Sequence, residues 1–412
     1  MTDNIYFVRR RLSQCCISGN FSEAILISND ILNYYASIND VSSDAYAEDL
    51  FNIAIAYENV FEHKKAIRMY TESSRVIMAS HGENVEFFYR LMNIAVTYCK
   101  TGEYTVALDL FDSIISGLKR KKITDASIKS LCYYNIGSAY CSLEKFNEGI
   151  NFFKKARRYA GSVDSSHLFD VLYSIGIAYM SISEYRKSSL FFAEASKVLR
   201  DAEPQNISEL VNVLMSDAEA LEKMGAYNKS ITKLSEVLQM MDNMIAKGNR
   251  NYTIIQTRIA ALYVKSGNYT KAIKICEEIV ENTKNLVGEN SLQYANALRD
   301  MALLCKDTGD FEIGSDCLKK GLAVKSTILG AENHETIRDT ISLIGLYIEM
   351  RDLKSALDLL IQTINIMDEN ENNLDEFMSK LAELYLSLGE YGNLHNAHSR
   401  AIELYKPQNL DY

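Results

Sequence analysis

Apolar residues fall along this chain in paired stripes. Within Tyr133–Ala156, Tyr133, Ile136, Gly137 and Tyr140 stand at i, i+3, i+4 and i+7, and after a polar interruption Phe146, Gly149, Ile150, Phe153 and Ala156 make a second stripe. Each stripe is one face of a short helix, and two stripes in succession predict two helices folded against each other. Gly137 and Gly149 are small where the pair must approach closely.

The pattern recurs. Aligned on the small residue of the second helix, the anchors are Ala24, Ala66, Ala107, Gly149, Ser188, Ser230, Ala272, Gly314, Ala356 and Leu394, with gaps of 42, 41, 42, 39, 42, 42, 42, 42 and 38 residues. Three residues before the anchor stands an aromatic residue, except at His63 and Leu353. Nine before it, tyrosine recurs (Tyr57, Tyr98, Tyr140, Tyr179, Tyr263, Tyr347, Tyr385), and twelve before it Ala or Gly (Ala54, Ala95, Gly137, Gly176, Ala218, Ala260, Ala302, Ala382). Coupled positions at a fixed period identify a repeat array.

These residues resemble the tetratricopeptide repeat. The 42-residue period and the phrases Gly82-Glu83-Asn84, Gly288-Glu289-Asn290 and Leu329–His334 are similar to the kinesin-light-chain variety. The resemblance implies an all-α, right-handed superhelical solenoid of about ten helix–turn–helix repeats, read as a single superhelix over 1–412. Residues 4–36 form an N-terminal capping repeat, 46–200 the best-formed repeats, 211–368 further 42-residue repeats, and 375–406 a C-terminal cap.

Two prolines in 412 residues agree with nearly continuous helix. The formal net charge of −10 disfavours nucleic acid as a partner. Eight cysteines without CxxC spacing read as reduced thiols in a cytoplasmic protein. The start, MTDNIYFVRRR, has no apolar run of a signal peptide, and no apolar stretch reaches the length of a membrane span.

Candidate binding residues follow from helical geometry. Two residues before the small residue of the first helix stand Asn52, Asn93 and Asn135. Two residues turn about 200° around a helix, so each asparagine points away from its partner helix. The resemblance implies that this direction is a concave groove, where a column of carboxamides holds the backbone of an extended peptide. Phe51, Met92, Tyr134, Tyr173 and Ser174 are neighbours that either form side-chain pockets or brace adjacent repeats. Arg258 and Arg299 either clamp an acidic group or pair with Asp300 or Glu219. The run Lys119-Arg120-Lys121-Lys122 reads first as a solvated face, with an acidic partner as the alternative. Arg9, Arg10 and Arg11 read as a polar end cap, with an electropositive lip as the alternative. Cys16, Cys99 and Cys141 share one position, where a thiol pair is conceivable.

No phosphate loop, nucleophile elbow or zinc-protease motif is present. His395 and His398 lack a third ligand, so no metal or cofactor is expected. The sequence thus predicts a non-catalytic scaffold or adaptor that holds a peptide or a partner's helix in its groove, with a homodimer left open. The alternatives are a signal-peptide receptor resembling the Gram-positive quorum-sensing type but lacking a DNA-binding domain, and a regulatory subunit of a larger complex whose catalytic chain is separate.

Overall fold

The computed structural model describes residues 2–161, 163–202, 206–242 and 250–366. Regular structure in them is α-helix alone, in consecutive pairs of an A and a B helix. By contact density the chain divides into two compact units, Met1–Met224 and Gly225–Tyr412. The first holds α1 (Thr2–Ser18), α2 (Phe21–Ser37), α3 (Asp44–Asn59), α4 (His63–His81), α5 (Val85–Lys100), α6 (Tyr104–Arg120), α7 (Ala126–Ser142), α8 (Phe146–Ala160), α9 (Ser165–Ser181), α10 (Tyr185–Asp201) and α11 (Ile207–Lys223). The second holds α12 (Tyr227–Met241), α13 (Arg250–Lys265), α14 (Tyr269–Val287), α15 (Leu292–Thr308), α16 (Phe311–Leu329), α17 (His334–Glu349) and α18 (Leu353–Ile366). The expected tenth repeat, with Leu394, His395 and His398, lies outside the described residues. No described helix is long and apolar enough to cross a membrane.

Two kinds of helix start alternate. Several A helices open on a side-chain cap: Asn84 Oδ1 accepts the Phe87 N–H at 2.8 Å, Asp125 Oδ1 that of Ile128 at 3.1 Å, and Asn333 Oδ1 that of Glu335 at 2.9 Å. This gives the inter-repeat phrases their physical meaning. Gly82 (φ +68°) ends α4 and Asn84 begins α5. The B helices from α2 to α16 have no side-chain cap. Their entry is fixed by the end of the A helix, where a residue at positive φ closes a six-to-one bond. That bond runs from Glu103 N–H to the Tyr98 carbonyl at 2.9 Å, and from Lys145 N–H to the Tyr140 carbonyl at 2.9 Å. The recurring tyrosine is thus the carbonyl that closes the turn, and the recurring aromatic is the first residue of the B helix.

All nine anchors from Ala24 to Ala356 are buried. A methyl on Gly149 would stand 2.5 Å from Cys141 Sγ and 3.0 Å from the Gly137 carbonyl. Four residues beyond the anchor, Tyr70, Phe111, Phe153 and Phe192 are buried at 2% exposure or less and lie in the A–B seam. A methyl on Gly137 would meet Phe153 Cδ1 at 2.7 Å, and one on Gly176 would meet Phe192 at 2.5 Å.

Several successive pairs are joined by buried polar ties, no two of them alike. Asp49 Oδ2 accepts Arg9 Nε at 2.5 Å and the Tyr35 hydroxyl at 2.8 Å; burial still raises its pKa above the ordinary carboxylate value. Arg11 pairs with Glu23 and Arg10 is exposed, so the arginine run is mostly committed within the first two repeats. Ser73 donates to the Ala47 carbonyl at 2.5 Å and accepts from buried Arg90 Nε at 2.8 Å, while Arg90 also reaches Glu48 and Glu86. Ser130 donates to the Ala156 carbonyl at 2.9 Å, so its oxygen must accept from His167 Nε2 at 2.9 Å, which fixes the imidazole tautomer. In the second unit, fully buried Lys325 holds Asp339 at 2.6 Å.

Gly137→Ala should destabilise by about 1–3 kcal/mol, the cost of overpacking, read as a lower urea midpoint; an unchanged midpoint would contradict this packing. Lys325→Met should cost about 3–5 kcal/mol by stranding a buried carboxylate, and Lys325→Met with Asp339→Leu should recover most of it, as a double-mutant cycle would show. Burial lowers the His167 pKa from its ordinary 6.5, so the fold favours the neutral ring. Its contribution is complete above pH 6.5 and is lost as pH falls through the lowered value. Urea midpoints measured across that window should fall with acid in the parent and fall less in His167→Gln.

Candidate functional site

In the first unit, the residue fifteen before each anchor is large, and it packs. The Phe51 ring lies 5.3 Å from that of Tyr70, with Arg90 5.1 Å from its centroid. Met92 is buried. Tyr134 lies 5.6 Å from Phe153 and 5.5 Å from His167. Tyr173 contacts Phe169 and Phe192, and its hydroxyl lies 3.1 Å from Ser216 Oγ. Ser174 Oγ reaches the Tyr134 hydroxyl at 3.5 Å. These side chains brace successive repeats.

Asn52, Asn93 and Asn135 are half-buried. Asn93 Nδ2 donates to the Tyr89 carbonyl at 2.8 Å and Asn135 Nδ2 to that of Leu131 at 2.9 Å, each one turn back on its own helix. Such bonding engages one of the two N–H groups and leaves the other N–H and Oδ1 for a further partner. Cys16, Cys99 and Cys141 are half-buried free thiols. Cys16 donates to the Asn52 carbonyl at 3.4 Å and Cys141 lies against the Gly149 anchor. Burial pushes Cys16 and Cys141 up to about 11, which keeps them protonated at neutral pH.

The second unit differs because its residue at the same position in α13 is Thr257. The space that a large side chain would fill is open. A cavity of about 670 Å³ is bounded by α13, α14 and α15, with Thr253, Thr257, Thr283, Asn296, Val287 and Asp300 in its wall. A second, of about 370 Å³, shares Thr257 and Asp300 and is lined by Ala261, Val264 and Leu303. Thr253 Oγ1, Thr283 Oγ1 and Asn296 Oδ1 are buried without a hydrogen-bond partner, as is Gln256 Oε1 on the same helix. An unsatisfied buried polar atom costs about 1–3 kcal/mol, so this concentration at one cavity marks it. Ile254 and Leu303 are exposed beside it. Sequence reasoning passed over Thr253, Thr283 and Asn296; the available signal was Thr257 standing where the earlier repeats have Phe51, Met92, Tyr134 and Tyr173.

Arg299 donates to its neighbour Asp300 at 3.0 Å and comes within 4.0 Å of Asp339. Arg258 is half-buried on α13. Clamping an external carboxylate with Arg299 would require its pair with Asp300 to open. Among the described residues no three His, Cys, Asp or Glu side chains group as metal ligands.

Tetratricopeptide-repeat family models match residues 251–327 and 131–159. No curated protein matches the chain. Among solved structures, the apo form of RapI aligns with a TM-score of 0.54 at 11% identity, covering 88% of this chain and 97% of that one. The apo quorum sensor NprR from B. thuringiensis gives 0.38 at 17% identity, over 89% and 99%. TPR-like repeats of a kinesin-light-chain type from Podospora anserina give 0.41 at 16% identity, over 50% and 100%. The RapI likeness shows the fold alone. With both matched segments falling on helix pairs that share the anchor and turn positions of the rest, this chain belongs to the tetratricopeptide-repeat superfamily.

Proposed function

We propose that the chain is a non-catalytic scaffold that holds an extended peptide segment of a partner against the A-helix face of its repeats. The observation that carries this reading is the pair of cavities sharing Thr257, the larger with the unpartnered Thr253 Oγ1, Thr283 Oγ1 and Asn296 Oδ1 among its lining residues. A peptide backbone supplies an N–H group for Asn296 Oδ1 and carbonyls for the threonine hydroxyls. Its apolar side chains fit beside Ala261, Val264 and Leu303. Asn52, Asn93 and Asn135 extend the same mode of recognition in the first unit, each through its carboxamide. The absence of catalysis is supported by thiols that burial holds protonated, with Cys276 pushed up to about 12 and Cys305 to about 11. A net charge of −10 favours a protein or peptide over nucleic acid.

Linear peptides selected from a random display library against the full chain test this. Thr257→Trp should fill the shared wall and weaken the selected peptides at least tenfold, about 1.4 kcal/mol, with the thermal midpoint retained. Asn52→Ala, Asn93→Ala and Asn135→Ala together should cost about 0.5–1.5 kcal/mol per lost hydrogen bond. Loss in only one variant assigns the site to that unit. Binding unchanged in both overturns the proposal. A ligand complete in a few residues favours the signal-peptide receptor, and a segment that needs its parent protein favours the regulatory subunit.

A further inference from the structure

The basic run between the third and fourth repeats does not behave as one solvated face. Arg120 and Lys121 turn to Glu83, at 2.6 and 3.7 Å. Lys119 and Lys122 instead line a cavity of about 370 Å³ at the α6–α7 junction, together with Lys129 from α7. None of these three has a carboxylate within salt-bridge distance among the described residues, nor does Lys155, whose Nζ lies 5.7 Å from the centroid of Tyr133 in the cavity wall. The neighbouring acid, Asp125, is engaged elsewhere, its Oδ1 accepting the Ser127 and Ile128 N–H groups that begin α7. In a chain of net charge −10, three lysines without a carboxylate partner around one open cavity favour an external anion there.

A further feature defines that anion. The rest of the lining is mostly apolar and includes two rings: Tyr133 and Tyr159 lie 22° from parallel with centroids 6.3 Å apart. Lys122 also holds φ +54° as it closes α6 through the bond from Ile123 N–H to the Leu118 carbonyl. Asn39, Phe61, Glu144, Ser183 and Arg351 hold positive φ at other helix ends, so this is a recurring turn of the repeats. A lysine at positive φ crowds its Cβ against the backbone, so glycine in its place would relieve the turn.

We propose that this cavity binds a phosphate monoester carried on a flat ring. The dianion would sit among Lys119, Lys122 and Lys129, each an ammonium donor, and the ring beside Tyr133 and Tyr159. The volume falls within the about 300–1,000 Å³ of small-molecule sites. A free aryl phosphate and a phosphotyrosine side chain share this chemistry.

Calorimetric titration of the full chain with phenyl phosphate, at fixed ionic strength, tests the assignment. Phenyl phosphate should bind at least tenfold tighter than inorganic phosphate, and Tyr133→Leu should remove that preference. Lys129→Gln should weaken phenyl phosphate at least tenfold. Lys122→Gly should weaken it similarly while raising the melting temperature, a combination that a folding defect cannot produce. Lys187→Gln, a distant surface charge that pairs with Glu184, should change nothing. A phosphotyrosine peptide binding as tightly as phenyl phosphate points to a modified partner, whereas phenyl phosphate alone points to a small molecule. Absence of phenyl phosphate binding, or equal loss in Lys187→Gln and Lys129→Gln, overturns the proposal.

Discussion

Each helix pair depends on how closely its two members approach. Where Gly149 faces the Gly137 carbonyl there is no room for a side chain, and the ring of Phe153 closes directly over Gly137. That contact fixes the spacing of the pair, so the six-to-one turn at its tip has one geometry to satisfy. The large residues left over then project toward the next pair rather than toward each other. Because an isolated pair cannot cover those residues, the array is stable only as a stack.

The stack is also held by polar groups that apolar packing would not need. Arg90 and His167 reach back to a serine of the preceding repeat, and each serine passes its own proton to a backbone carbonyl across its pair. The serine comes from the B helix in one case and from the A helix in the other. Such groups are costly if unmatched, so they add selectivity for the neighbour more than they add stability.

The period, the anchors and the turn residues were legible because they serve packing, and packing repeats. The buried anchors and the aromatic that opens nearly every described B helix follow directly from residue size and spacing. The polar ties were not legible, since donor and acceptor come from different repeat positions each time. The asparagines stand half-buried on the A-helix face, but periodicity says nothing about a local rival: the carbonyl one turn back, which takes the Asn93 and Asn135 N–H. The opening beside α13 was written in Thr257, yet a threonine is informative only once Phe51, Tyr134 and Tyr173 are seen to fill the same place. The lysine run looked uniform because sequence cannot show that Glu83 lies within reach of only two of its members.

The ties have a consequence for how such an array changes over generations. Tandem arrays grow and shrink by copying and deleting whole units, and that is harmless when every junction is alike. Here Asp49 suits Arg9 and Tyr35, Ser130 suits His167, and Lys325 suits Asp339. A duplicated, deleted or transposed unit would bring Lys325 or Arg90 against a stranger and bury a charge with nothing to meet it. The order of these repeats is therefore locked by chemistry at the junctions, and the chain can diversify by point substitution far more readily than by gaining or losing a repeat.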